Sequence, residues 1–160
     1  MRRSDEVRDA RQHAATAGSM LAFLFVVSGI ATLGTTLLPA PQGFDAPRVA
    51  AVGLVAIIGG ISTSLLLWRR WPLWASLLAI PAAFSLISVH NLAGGSDPHR
   101  YSLFYVVAFV WVGMFHPRWT PTAVSALVAP SYLAPLLITG APSSAIASAF
   151  YAVPMFVLVG

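Results

Sequence analysis

The sequence predicts an all-α integral membrane protein, a bundle of six transmembrane helices, from its composition and from the spacing of its apolar runs. Hydrophobic residues make up 58% of the chain and charged residues only 9%, whereas a soluble domain carries about 25% charged residues. Six apolar runs, separated by short polar or proline-containing segments, have roughly the length that a helix needs to cross a bilayer. The 160 residues leave no room for a soluble catalytic domain of usual size.

Residues 1–13 are predicted to form a polar cytoplasmic tail, and residues 14–160 the membrane domain. The predicted spans are residues 14–38, 49–67, 73–89, 101–117, 120–138 and 145–160. The first apolar run is longer than the roughly 7–15 residues of a signal-peptide core, so we expect a retained helix, with a cleaved signal as the alternative. Prolines and Gly43 within residues 39–47 then require a loop, because proline has no N–H to continue a helix.

The second span ends in Trp-Arg-Arg-Trp-Pro at residues 68–72, which predicts an interfacial turn with tryptophan at the headgroup level. Small residues near the end of that span let a neighbouring helix approach closely. They are Gly59, Gly60, Thr63 and Ser64. Packing within one subunit and a homodimer interface both remain open for this group.

Four prolines fall inside the later spans, where each removes one helical hydrogen bond. They are Pro81, Pro130, Pro135 and Pro154. The freed carbonyls could border a cavity, or the helices could be kinked and fully packed. The sixth run is still apolar at Gly160, about 24 Å from its start, so we expect the chain to be the membrane part of a longer protein.

The distribution of arginine predicts the orientation, since short translocated loops carry few positive charges. A cytoplasmic N-terminus places seven arginines on one side and two, Arg48 and Arg100, on the other. The seven are Arg2, Arg3, Arg8, Arg11, Arg69, Arg70 and Arg118. We therefore expect a multi-pass protein of the cell membrane, whose basic tail contacts anionic lipid rather than nucleic acid.

The composition excludes several chemistries. Cysteine is absent and all nine basic residues are arginine, which rules out thiolate metal ligands, a retinal Schiff base and a Walker A phosphate loop within this chain. No aspartate, glutamate or arginine falls inside a predicted apolar core, which disfavours a pump, a coupled transporter or a voltage sensor. No catalytic residue is predicted in these residues.

Aromatic side chains of the fourth span are the predicted ligand-binding residues. This span has Arg100 before it and Arg118 after it, and measures roughly 27 Å from Tyr101 to Trp119. Tyr101 and four residues of the helix could line a pocket for an apolar or lipid-like ligand, and plain packing or lipid contact is the alternative. The four are Phe104, Tyr105, Phe109 and Trp111.

Two histidine pairs are weak candidates for metal or haem ligation. His90 and His99 lie towards the external side of the predicted bundle, and His13 and His116 towards the cytoplasmic side. Neither pair has a recognised ligand spacing such as His-Glu-x-x-His. Ordinary solvated histidines at the ends of helices are the alternative, and no metal is predicted.

Residues 103–118 carry a resemblance to a known family. They read Leu-Phe-Tyr-Val-Val-Ala-Phe-Val-Trp-Val-Gly-Met-Phe-His-Pro-Arg, with a Phe-Tyr pair early in the helix and an aromatic and basic turn at its end. This pattern resembles the fourth span of the six-helix N-terminal membrane regions of actinobacterial diguanylate cyclases, which carry a cytoplasmic GGDEF domain after the sixth helix. The six-span layout and the basicity from arginine alone are also similar.

The resemblance implies a sensory or anchoring input domain that forms a homodimer and regulates a C-terminal cytoplasmic diguanylate cyclase. GTP, magnesium and cyclic di-GMP would belong to that output domain, and no cofactor is implied for this chain. The membrane anchor of an adenylyl cyclase or histidine kinase has a similar layout. Two other classes also remain open: a small stand-alone membrane protein, such as a transporter or assembly subunit, and a haem or metal protein using His90 and His99.

Overall fold

The computed structural model describes residues 2–95 and 102–160. Across these residues the chain is helical and holds no β-strand, which confirms the predicted all-α class. The α-helices are α1 (Arg2–Thr35), α2 (Ala46–Ser64), α3 (Ala79–Ala93), α4 (Ser102–Phe115), α5 (Thr120–Ile138) and α6 (Ser143–Val159). Two 3₁₀ segments, Trp68–Arg70 and Leu73–Leu78, connect α2 to α3.

Several of these helices have the length and composition of membrane spans. In the described part of the chain, four stretches are long and apolar enough to cross a bilayer: Asp5–Thr35, Ala46–Ser64, Leu73–Ala93 and Thr120–Ile138. Leu103–Phe115 and Ser143–Val159 are apolar but shorter. These stretches support a membrane protein.

The helix boundaries differ from the predicted spans in every helix except α5. α1 already begins at Arg2, so the predicted tail is helical and continuous with the first span. The third helical stretch runs to Ala93, beyond the predicted end at residue 89. α4 ends at Phe115, before the predicted end at residue 117, because Pro117 disfavours helical geometry at the residue before it.

The start of α2 is fixed to the end of α3. Asp45 caps α2 by accepting a hydrogen bond from the Arg48 backbone N–H at 3.1 Å, and its carboxylate pairs with the Arg48 guanidinium at 3.0 Å. The Asp45 N–H donates to the Ala93 carbonyl at 2.9 Å. The ends of α1 and α3 and the start of α2 therefore lie at one end of the molecule.

α1 and α2 are packed backbone against backbone through glycine. A Cβ on Gly29 would lie 2.6 Å from the Gly53 carbonyl oxygen, and one on Gly60 would lie 2.8 Å from the Ala22 carbonyl oxygen. Gly59 does not take part, since its nearest neighbour would be Phe25 at 3.9 Å. Gly60 thus serves packing within the chain, whereas a homodimer interface at this group stays a prediction.

An aromatic cluster joins α3, α4, α5 and α6. It consists of Phe84, Tyr105, Phe109, Tyr132 and Phe156, all buried. Phe156 of α6 lies 5.6 Å from Tyr105 and 6.1 Å from Phe109, measured between ring centroids. Such ring pairs contribute about 0.5–1.5 kcal/mol each beyond their buried area.

One proline inside a helix has its freed carbonyl satisfied by a neighbouring helix. Pro135 has no N–H for the Ser131 carbonyl one turn earlier. The Ser88 hydroxyl of α3 lies 2.8 Å from this carbonyl oxygen and 2.9 Å from that of Phe84, and its single O–H is shared between the two acceptors. The carbonyl freed by Pro135 is therefore part of the α3–α5 contact, as the fully packed alternative proposes.

Candidate functional site

A cleft of about 80 Å³ lies between α1, α2, α3 and α4. Alanines from three helices, Ala56, Ala83 and Ala108, leave this space because their side chains are short. Larger apolar side chains form the rest of the wall. They are Leu21, Leu24, Phe25, Val52, Ile80, Leu86, Ile87, Phe104, Val107 and Trp111.

Three polar side chains border the cleft: Ser28 and Thr32 of α1, and His90 of α3. Thr32 and His90 are buried, with 4% and 2% of their surfaces exposed. The His90 ring lies 6.0 Å from the Phe104 ring, measured between centroids. Since the ends of α1 and α3 lie together, this end of the cleft is polar and the opposite end is apolar.

Trp111 closes the apolar end. Its indole N–H donates to the Ala17 carbonyl of α1 at 3.1 Å, and only 2% of its surface is exposed. This bond fixes the ring between α1 and α4. The cleft thus offers a rigid aromatic wall at one end and hydroxyl and imidazole groups at the other, which suits an amphiphile with an apolar tail.

The predicted ligand-binding residues divide between two faces of α4. Phe104 and Trp111 line the cleft. Tyr105 and Phe109 face away from it and belong to the aromatic cluster, each with 0% of its surface exposed. Tyr101 lies outside the described residues.

The candidate histidines also have different surroundings. His90 lines the cleft, and His99 lies outside the described residues. His13 Nε2 lies 3.2 Å from the Phe115 carbonyl oxygen, and His116 Nε2 lies 3.2 Å from the Ser76 hydroxyl oxygen. No group of three histidine or acidic residues that could hold a metal ion occurs in residues 2–95 and 102–160.

Two polar residues of this site were not predicted from the sequence. Ser28 and Thr32 are one helical turn apart within the first apolar run, so they lie on the same face of α1. That spacing was the available signal. The sequence alone does not show which helices this face of α1 packs against.

No family model, curated protein or solved structure matches this chain. The resemblance to the membrane regions of diguanylate cyclases therefore stays a prediction.

Proposed function

We propose that this chain is a sensory input domain of six transmembrane helices with a cytoplasmic N-terminus. Its ligand is an amphiphile with an apolar tail, which binds in the cleft. Its output is a change in the packing of α6, which regulates a C-terminal cytoplasmic signalling domain. The resemblance implies a diguanylate cyclase as that domain. The observation that carries the proposal is the position of α4, which lies between the cleft and α6.

The contacts of α4 supply the route. Its Phe104 and Trp111 line the cleft, while Tyr105 and Phe109 pack on Phe156 of α6. Close to the end of α4, Gly113 packs so tightly against Gly160 that a Cβ would collide with the Gly160 backbone. Because packed interfaces shift between discrete arrangements, a ligand that moves α4 changes the packing of α6.

The chemistry of the cleft supports an amphiphile. A dry cavity of 150 Å³ takes benzene, so about 80 Å³ holds a short segment of a hydrocarbon chain. Leu24, Phe25 and Ser28 remain partly exposed beside it, which leaves room for the rest of the molecule to extend towards lipid. The hydroxyls and His90 can hydrogen-bond a carboxylate, carbonyl or hydroxyl head.

The arrangement of the basic residues supports the proposed orientation. Arg8, Arg11, Arg69 and Arg70 line one cleft at the end of the molecule where α1 begins. Arg48 lies at the start of α2, beside the end of α3, and is paired with Asp45. An excess of arginine at one end is typical of the cytoplasmic side.

The test uses the full chain in nanodiscs, with palmitic acid as the probe. A photoactivatable palmitic acid analogue should label peptides of α1, α3 and α4 at the cleft, and unlabelled palmitic acid should compete. Ala108→Leu fills the cleft and should abolish this labelling. Val110→Leu is the matched control, since Val110 is on the same helix but 39% exposed.

A second readout measures the coupling to α6. The chain has no cysteine, so Leu158→Cys gives a single spin-label site on α6, where Leu158 is 79% exposed. In the proposed homodimer, palmitic acid should shift the distance between the two labels, and Ala108→Leu should remove the shift. Binding without any shift would rule out the sensory role, and labelling that Ala108→Leu leaves intact would rule out the cleft.

A further inference from the structure

A second cleft lies at the opposite end of the molecule from Thr32 and His90. It is lined by Val7, Arg8, Arg11, Gln12, Arg69 and Arg70, and its volume is about 510 Å³. Its arginines come from two separate elements, the first turns of α1 and the 3₁₀ segment Trp68–Arg70. All six lining residues are exposed, so the cleft is an open groove at the surface.

Packing of Trp68 brings the two arginine pairs together. The Trp68 indole lies directly over Gly18 of α1, where any Cβ would collide with the ring. Its N–H donates to the Thr63 carbonyl at 2.8 Å, which fixes the ring at the end of α2. Arg69 and Arg70 follow immediately, so the same contact that locks Trp68 onto α1 holds them beside Arg8 and Arg11.

The positive charge in this cleft is not neutralised by ion pairs. Within the described part of the chain the only ion pair joins Asp45 and Arg48, at the other end. Glu6 and Asp9 lie about 100–160° around α1 from Arg8, and Asp5 lies about 60° from it, at 100° per residue. None of the three acidic residues lines the cleft. All four arginines are exposed and none is ion-paired to another described residue, so four positive charges converge on one space that an anion can enter.

We propose that Arg8, Arg11, Arg69 and Arg70 form a binding site for a phosphate-bearing anion. The planar guanidinium group donates two parallel hydrogen bonds to phosphate oxygens, which makes arginine well suited to this ligand. The phosphate could come from the headgroup of an anionic phospholipid or from a soluble phosphorylated compound. Trp71, 49% exposed next to Arg70, suits the headgroup level of a bilayer.

The experiment measures binding to the full chain in dodecyl maltoside by native mass spectrometry. The probes are dioleoylphosphatidylglycerol, dioleoylphosphatidylcholine and inorganic phosphate. Arg11→Gln and Arg69→Gln should each weaken retention of the bound anion about fivefold. Arg118→Gln is the matched control: it removes one charge after α4, near the His13 end of α1, without touching the cleft.

A third variant tests geometry at constant charge. Gly18→Val keeps every arginine but displaces Trp68, so it should also weaken binding. If this variant does not fold, Arg11→Gln and Arg69→Gln still decide the test.

Preferential retention of phosphatidylglycerol over phosphatidylcholine supports a lipid headgroup as the ligand, and retention of inorganic phosphate supports a soluble ligand. If the protein retains neither phosphatidylglycerol nor inorganic phosphate, or if Arg118→Gln weakens their binding as much as Arg11→Gln does, the proposed site is wrong. Ala108→Leu should leave this binding unchanged, so its outcome is separate from that of the sensory proposal.

Discussion

The two faces of α4 meet their neighbours in different ways. Towards α6, Tyr105 and Phe109 are completely buried and stack on Phe156. Towards α1 and α3, Phe104 and Val107 are only partly buried and border a cleft. One helix thus combines a face that cannot shift without moving α6 and a face with space for a ligand, which is the combination that a transmitting helix requires.

The largest expected effect comes from the close-packed face. Phe109→Ala removes a ring that contacts both Phe84 and Phe156, and should lower the free energy of unfolding by about 3 kcal/mol, since the site cannot collapse around the cavity. Unfolding by SDS in mixed micelles, followed by circular dichroism, measures it. Val110→Ala, on the exposed side of α4, should change stability little; equal losses would contradict the difference between the faces.

Overpacking the same face should have the next largest effect. Gly113→Leu places a side chain where Gly160 lies, and should lower the free energy of unfolding by about 2 kcal/mol because the helices must separate. Gly34→Leu is the control, as a Cβ there would meet nothing within 4 Å. In the spin-label measurement at Leu158→Cys, Gly113→Leu should also shift the distance without ligand; an unchanged distance would remove Gly113 from the proposed route.

The sequence predicted the helices of this chain well, but not the two faces of α4. Prolines and polar loops predict that a helix ends nearby because they act locally, through a missing N–H or a side-chain cap. The exact ends at Asp45 and Pro117 were still missed by two or three residues, since α2 begins at Ala46 and α4 ends at Phe115. α4 is apolar around its whole circumference, so no periodicity indicates which side meets a neighbour. Tyr105 and Phe109 were therefore grouped with Phe104 and Trp111 as ligand-binding residues, although the structure separates the pairs.

The arginine cleft could not be predicted from the sequence, for a related reason. The predicted charge-rich side placed Arg8 and Arg69 at the same end of the bundle, which is a statement about topology. Their convergence on one cleft depends on Trp68 packing over Gly18, a contact between residues distant in the chain. Long-range packing of this kind leaves no local pattern in a single sequence.

A smaller effect is expected at Trp111, on the cleft face of α4. Trp111→Phe keeps the apolar wall but removes the hydrogen bond to the Ala17 carbonyl, and should cost about 1 kcal/mol of stability. Because the ring then loses its fixed position, palmitic acid should also bind more weakly. Trp119→Phe, at a residue that is 68% exposed, should change neither the stability nor palmitic acid binding. If both variants lose the same stability, the hydrogen bond of the Trp111 indole N–H has no special role.

The smallest effect on stability is expected at Phe104, and it separates the two faces most directly. Phe104→Ala acts on a partly buried ring beside an existing space, so it should lower the free energy of unfolding by only about 0.5 kcal/mol. The same ring forms one wall of the cleft, and losing contact worth about 1 kcal/mol should weaken palmitic acid binding about fivefold. Leu103→Ala, at a residue that is 66% exposed, should alter neither quantity. A stability loss equal to that of Phe109→Ala, with unchanged binding, would mean that both faces of α4 are simply core.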